Sequence, residues 1–304
     1  MTALLAAGEE KETAASFLQR YPGAKSGAWV FQTIINEMPR HAVYCEPFVG
    51  SGAILLRKRP ATCSIVIDAD SGVADRWSTI AASGGMAGLT VHHGDARSVI
   101  ASYGERIHSG WLIYADPPYV RSARRSSAPI YRHEMSDQEH VALIHLLRSL
   151  PAKVMLSGYR TALYDERLAG WRRIDFRAMT RAGPAIESLW CNFPADLERH
   201  EFTYLGANYR ERERIKRKRL RWRKRLAAMP ALERRAILEE LTLLELASSS
   251  STGAAEPVLE RRQARRCAPA AIVTADDEDR TAAAGDARSS TDALDDGGHH
   301  AATS

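Results

Sequence analysis

The chain is short of cysteine. Four of them, Cys45, Cys63, Cys191 and Cys267, are scattered through 304 residues, with no Cys-x-x-Cys pair and no metal-like spacing with histidine. That argues against a zinc-bound or disulfide-built framework, and no metal site is expected. Long apolar runs are also missing. None approaches the roughly 18–20 residues of a membrane span, so no membrane partner is expected. Met1 to Gly8 carries neither a basic segment nor an extended apolar one. It is unlike a signal peptide, and a cytoplasmic protein is the expectation. A third glycine is absent after Gly50 and Gly52: Leu55 stands where the dinucleotide fingerprint requires it. Aromatic residues disappear beyond Ala247, where Ser, Ala, Gly and Asp dominate. Such a composition buries too little apolar surface to offset the entropy of ordering, so residues 247–304 are expected to be a disordered acidic tail.

Charge is unevenly spread. The chain has 42 basic and 37 acidic residues, a net charge of +5. About 6 of the basic and 10 of the acidic ones lie from Ala247 onward, leaving a strongly basic body. That balance suggests a polyanionic partner. It peaks between Tyr209 and Arg225, where 11 residues are Lys or Arg. Ile215, Trp222 and Leu226 recur there near helical spacing, and Leu232 to Leu246 reads as a second helix behind Pro230. The expectation is a basic helical arm over residues 209–246, its two apolar stripes paired in a hairpin. Arg217, Lys218 and Arg221 are its candidate nucleic-acid contacts, against the plainer reading of a solvated charged helix.

Before the arm, strand and helix patterns alternate. Glu9 to Arg20 and Ala28 to Met38 read as helices, the second stopped by Pro39. Ala42 to Glu46 reads as a strand, followed by a turn at Gly50 and Gly52 and a helix from Ala53. Short apolar runs then end in acids at Asp68 and Asp95. Asp68 suits the vicinal hydroxyls of a ribose; Asp68 or Asp70 could instead cap the following helix. Asp95 suits an adenine amino group or a cap equally well. His92 and His93 would face opposite ways on a strand. Ser136 with Glu139 reads as a capping box. Ala152 to Leu156 is another strand, Thr161 to Leu168 a short helix. Trp171–Met179 and Ile186–Phe193 read as a hairpin around Arg181-Ala182-Gly183-Pro184. The fold class is therefore α/β: a mostly parallel sheet with a C-terminal antiparallel hairpin and helices on both faces.

The most informative stretch is Trp111 to Tyr119. The apolar run Trp111–Ala115 is a buried strand, and it stops at Asp116-Pro117-Pro118-Tyr119. The prolines lack N–H donors and fix φ, so the strand ends in a stiff ledge. Open α/β sheets place ligands at that end of their strands. An exocyclic amine is a poor nucleophile because its lone pair is delocalised. Asp116 could accept one of its N–H groups and the Pro117 carbonyl the other, while Tyr119 stacks on the base. That is catalysis by positioning and electrostatics. Arg121, Arg124, Arg125 and Arg132 follow in a polar loop that reads as a phosphate clamp or as a solvated segment.

Together these segments resemble the Dam-like, adenine-specific DNA methyltransferases, including compact versions from phages and mobile elements. The resemblance runs from about Tyr21 to Phe193. It rests on Tyr21-Pro22-Gly23-Ala24-Lys25, on Glu46-Pro47-Phe48-Val49-Gly50-Ser51-Gly52, on Asp68, on Asp116 to Tyr119, and on Glu187-Ser188-Leu189-Trp190-Cys191-Asn192. It implies a Rossmann-like, S-adenosylmethionine-dependent methyltransferase domain over residues 1–208, in a bacterial host cell. Tyr21, Lys25, Glu46, Phe48, Gly50, Gly52, Asp68, Asp95 and Asp116 would surround the cofactor. The target would be adenine flipped out of double-stranded DNA. RNA adenine is an alternative, as is a non-catalytic nucleic-acid-binding protein on the same fold. Many members carry a recognition insert between the second-strand acid and the catalytic motif. Here about 47 residues separate Asp68 from Asp116, which implies a short or relaxed recognition site.

Overall fold

The computed structural model describes residues 25, 27, 29–123, 132–180 and 183–250, all within one unit, Met1–Cys267. The expected helix at Glu9–Arg20, Tyr21, Arg124, Arg125 and the tail beyond residue 250 lie outside the described residues.

Seven strands form one sheet: β1 (Val43–Glu46), β2 (Cys63–Asp68), β3 (Leu89–His93), β4 (Trp111–Ala115), β5 (Lys153–Gly158), β6 (Arg172–Thr180) and β7 (Gly183–Cys191). Their order is β3-β2-β1-β4-β5-β7-β6. β7 pairs antiparallel with both neighbours; the other pairings are parallel. This is the mostly parallel α/β sheet with a C-terminal antiparallel hairpin expected from the sequence.

Helices α1 (Val30–Asn36) and α2 (Ser71–Ala82) pack on one face, and α3 (Ala96–Tyr103), α4 (Asp137–Ser149) and α5 (Ala162–Arg167) on the other. Side chains alternate between the two cores with the strand period. Tyr44, Leu112, Tyr114 and Met155 join Ile34, Ile35 and Trp77. Cys45, Ile113, Ala115, Val154 and Leu156 join Ile100, Leu143 and Leu147. Burial on both faces is why the central strands read as unbroken apolar runs.

Local chemistry sets the helix ends. Asp70 accepts from Gly72 N–H at 2.9 Å to cap α2, and Asp95 from Ser98 N–H at 3.0 Å to cap α3. Ser136 and Glu139 form the expected capping box on α4. His92 bonds to Tyr103 and His93 to the Ala69 carbonyl, on different partners.

Four expectations need correction. α1 ends at Asn36 rather than Met38, because Met38 already takes a tighter bond to the Ile35 carbonyl ahead of Pro39. The segment after Gly52 is not a regular helix. It makes turns, Leu56 to Gly52 and both Arg57 and Lys58 to Ile54, so its bonds mix three- and four-residue spacing rather than repeating regularly. The hairpin strands are displaced from the reading: β6 is shifted by one residue, and β7 starts at Gly183, with Pro184 inside it, and ends at Cys191. Finally, α6 (Tyr209–Ala228) and α7 (Ala231–Ser250) form, but not as a sealed hairpin. Leu232, Leu238, Leu241, Leu243, Leu244 and Leu246 are exposed. Between Ile215 and Leu226, α6 offers only Leu220 and Trp222 among its basic residues, and both are exposed too. α7 also continues through Ser250, into the run assigned to the tail.

Candidate active site

β1 connects toward β2 on one side of the sheet, and β4 toward β5 on the other. A crevice opens where such connections diverge, beyond the carboxyl ends of the strands. Here those ends supply Glu46, the last residue of β1, and Asp116, the first residue after β4. Between them lies a cavity of about 550 Å³, a size typical of small-molecule sites. Lys25, Glu46, Phe48, Gly50, Asp68, Asp95, Asp116 and Pro118 all line it. So does Arg132, selected from the sequence as a nucleic-acid contact; it reaches Asp70 at 3.4 Å.

Asp68 is held by backbone. Gly50 N–H donates to its Oδ2 at 2.9 Å and Asp70 N–H to its Oδ1 at 3.0 Å. Burial raises its pKa. Each oxygen keeps a lone pair for a further donor. Gly50 and Gly52 have φ of 46° and 61°, a left-handed turn that glycine adopts without strain. The reason for Gly52 differs from the one expected. A Cβ there would overlap the Trp77 indole, so this glycine admits a core side chain rather than a ligand. Trp77 in turn donates to the Gly50 carbonyl at 3.1 Å.

Glu46 is buried and accepts from the Tyr44 hydroxyl at 2.8 Å. Burial pushes its pKa up to about 8. Lys58, 4.3 Å from the Tyr44 ring, is pushed by burial down to about 8. Asp95 lines the cavity while capping α3; bonds from Ser98 hold its pKa below the usual range despite partial desolvation.

The ledge is tied together by residues distant in sequence. Lys25 Nζ lies 2.9 Å from Asp116 Oδ1, donates to the Tyr119 hydroxyl at 2.6 Å and stands 3.6 Å from Glu187 Oε2. Tyr119 OH donates to Glu187 at 3.1 Å. Ser157 Oγ donates to Asp116 Oδ1 at 2.7 Å and meets the Tyr114 hydroxyl at 3.0 Å. Tyr119 is 7% exposed, with Tyr159 edge-on at 4.6 Å. Ser157 had no assigned role, although its place at the end of a strand was legible. Glu187 was matched within a motif, again without a role. Asn192, from the same motif, is structural: it ties β7 to β5 through Val154 N–H and the Ala152 carbonyl.

Seven carboxylates line the cavity: Glu46, Asp68, Asp70, Asp95, Asp116, Glu134 and Glu139. Lys25, Arg97 and Arg132 are the cations there. Such a site repels phosphate and favours a ligand carrying positive charge. Among the described residues, no group of His, Cys, Asp and Glu is arranged to hold a metal ion. No described helix is long and apolar enough to cross a membrane. Arg121 lies exposed in a 3₁₀ turn after the ledge, and Arg217, Lys218 and Arg221 are exposed on α6.

No family model matches the chain. No curated protein matches it either. Solved structures similar to it include an S-adenosylmethionine-dependent methyltransferase from Agrobacterium tumefaciens, at 14% identity over 54% of this chain and 60% of that one, TM-score 0.34. An rRNA methylase from Streptococcus thermophilus is similar at 10% identity over 53% and 93%, TM-score 0.37. A precorrin 8w decarboxylase from Methanobacterium thermoautotrophicum is similar at 10% identity over 52% and 85%, TM-score 0.34. Likenesses of this size say nothing about substrate.

Proposed function

We propose that this chain transfers a methyl group from S-adenosylmethionine to the N6 amino group of adenine in DNA. One observation carries the reading: Asp116, at the cavity's edge, has Oδ1 fixed by Lys25 and Ser157. Oδ2 is then the acceptor for an incoming N–H. The rigid carbonyl of Pro117 takes the second N–H of the amine. Both interactions strengthen as nitrogen gains positive charge, which is what lowers the barrier.

The cavity suits the cofactor in charge and in shape. S-adenosylmethionine supplies an activated methyl on a cationic sulfonium and carries no phosphate, in keeping with the acidic lining. Asp68 accepts the two ribose hydroxyls with its remaining lone pairs. A base that stacks on Tyr119 has to displace Tyr159. The span between Asp68 and Asp116 is used by α2, β3, α3 and β4. That leaves no insert for reading bases, consistent with a short or relaxed site.

The test is transfer of labelled methyl to unmethylated duplex DNA and, in parallel, to structured RNA, with D116A as control. Label on adenine N6 of DNA, lost in D116A, is the expected result. Label confined to RNA would overturn the choice of polymer. No label on either polymer would overturn the activity.

A further inference from the structure

Helix α6 uses its cations in two ways. Arg212 and Arg219, two turns apart, are fastened to the body. Arg212 donates to the Gly206 carbonyl at 3.0 Å and lies 4.4 Å from the Trp29 ring centre. Arg219 donates to the Phe202 carbonyl at 3.1 Å. Arg210, Arg214, Arg217 and Arg221 are different. Their i, i+4, i+7, i+11 spacing puts them on one stripe. All four are exposed, and they line a shallow groove of about 730 Å³ with Tyr209, Leu220 and Glu213, an acid that Lys216 faces at 3.6 Å. Among the described residues, the stripe's one ion pair is Arg214 with Glu211, at 3.7 Å. An exposed pair of that length holds little energy.

The charge density is the second observation. Eleven cations occupy Arg210 to Arg225, about 22 Å of helix axis at 1.5 Å per residue. That is about one positive charge per 2 Å, against one phosphate per about 1.7 Å along duplex DNA. Glu211 and Glu213 are the acids within the stretch, so the chain does little locally to offset the helix's self-repulsion. Guanidinium groups match phosphate oxygens in geometry as well as in charge.

We infer that the Arg210–Arg221 stripe is a sequence-blind tether for the phosphate backbone of duplex DNA. The choice of polymer rests on the proposed reaction; the tether's existence does not. Phosphate contacts fix position without reading bases. They supply affinity that the short Asp68–Asp116 span has no insert to provide.

The full chain is titrated onto a 30-base-pair duplex of arbitrary sequence by fluorescence anisotropy, over a range of salt. The comparison is R210Q/R214Q/R217Q/R221Q, with helix content checked by circular dichroism. Each lost phosphate contact reduces the slope of log K against log salt by about 0.9, so a loss of about 3 to 4 is expected. An unchanged slope with intact helicity overturns the tether. The matching four-lysine variant keeps the charge and is expected to keep the slope; losing it would also overturn the proposal. Tighter binding to duplex RNA than to DNA at the same salt would overturn the choice of polymer. D116A separates the two proposals: it should bind with the wild-type slope and transfer nothing. A wild-type chain inert toward DNA whose slope still falls in the four-glutamine variant would sink the reaction and keep the tether.

Discussion

The buried Lys25 and the partly buried Asp116 form an ion pair, with the ammonium 2.9 Å from Oδ1 and side-chain exposures of 7% and 16%. The same ammonium faces Glu187. Replacing it by methionine leaves two carboxylates in a small volume without their counter-charge. Removing one partner of a buried pair costs about 3–5 kcal/mol. K25M should therefore lose stability on that scale in urea unfolding, and methyl transfer should fall with it. Unchanged unfolding would show that the pair contributes nothing to the fold.

Glu46 gives a pH signature. Its folded pKa is raised by burial from 4.5 to about 8, so the folded state binds the extra proton between those values. Stability contributed by Glu46 is thus full below about pH 4.5 and declines as pH rises toward 8. His200 acts oppositely at lower pH: burial moves it from 6.5 to about 4, so its contribution is lost on acidification through that window. Above pH 6.5 the Glu46 decline should dominate until Lys58, lowered by burial to about 8, begins to titrate with the opposite sign, and it should vanish in E46Q. Binding of a cationic cofactor should tighten over the same interval, because it favours the ionised carboxylate. Calorimetry at several pH values checks this; an E46Q profile identical to wild type would count against it.

Ser157→Ala should separate positioning from folding. The hydroxyl orients Asp116 Oδ1 and also meets Tyr114. Its loss should slow single-turnover methyl transfer about tenfold, equivalent to about 1.4 kcal/mol. Cofactor affinity should be nearly unchanged. Equal losses in rate and cofactor binding would mean that the cavity itself had collapsed.

Gly52→Ala should destabilise by about 1–3 kcal/mol, through the left-handed backbone and the overlap with Trp77. The second contribution should shrink in a W77L background, so the two effects will not add. Strict additivity in a double-mutant cycle would show that the indole is not the obstacle.

The strands and the ledge were legible because their signals are local. Trp111–Ala115 is buried on both faces, and such strands announce themselves as apolar runs ended by proline. Asp68 and Asp116 could be placed because each sits at a strand end; Lys25 entered only through the resemblance, since taken alone it reads as a solvated loop lysine. Glu187 and Ser157 could not be given roles, because these depend on which strands are neighbours. β7 lies against β5 rather than after β6. The segment after Gly52 misled because helix propensity is read over a window, while the bonds that form there mix three- and four-residue spacing. The leucines of α7 misled for the opposite reason: their pattern suggested a partner that the arginine-rich face of α6 does not provide.

The position of β7 has a consequence for synthesis. It is the penultimate strand in space but the last to leave the ribosome, and it carries Glu187 to the Lys25 cluster near the start of the chain. A nascent chain that ends before Gly183 can pair β1 to β5, yet it lacks the strand that seals β5 and the carboxylate that completes the Lys25–Asp116–Tyr119 set. The ledge is therefore assembled late, by contacts between distant parts of the chain. A chain cut before Gly183 would keep the cleft between Glu46 and Asp116 and lack the Glu187 carboxylate beside Lys25.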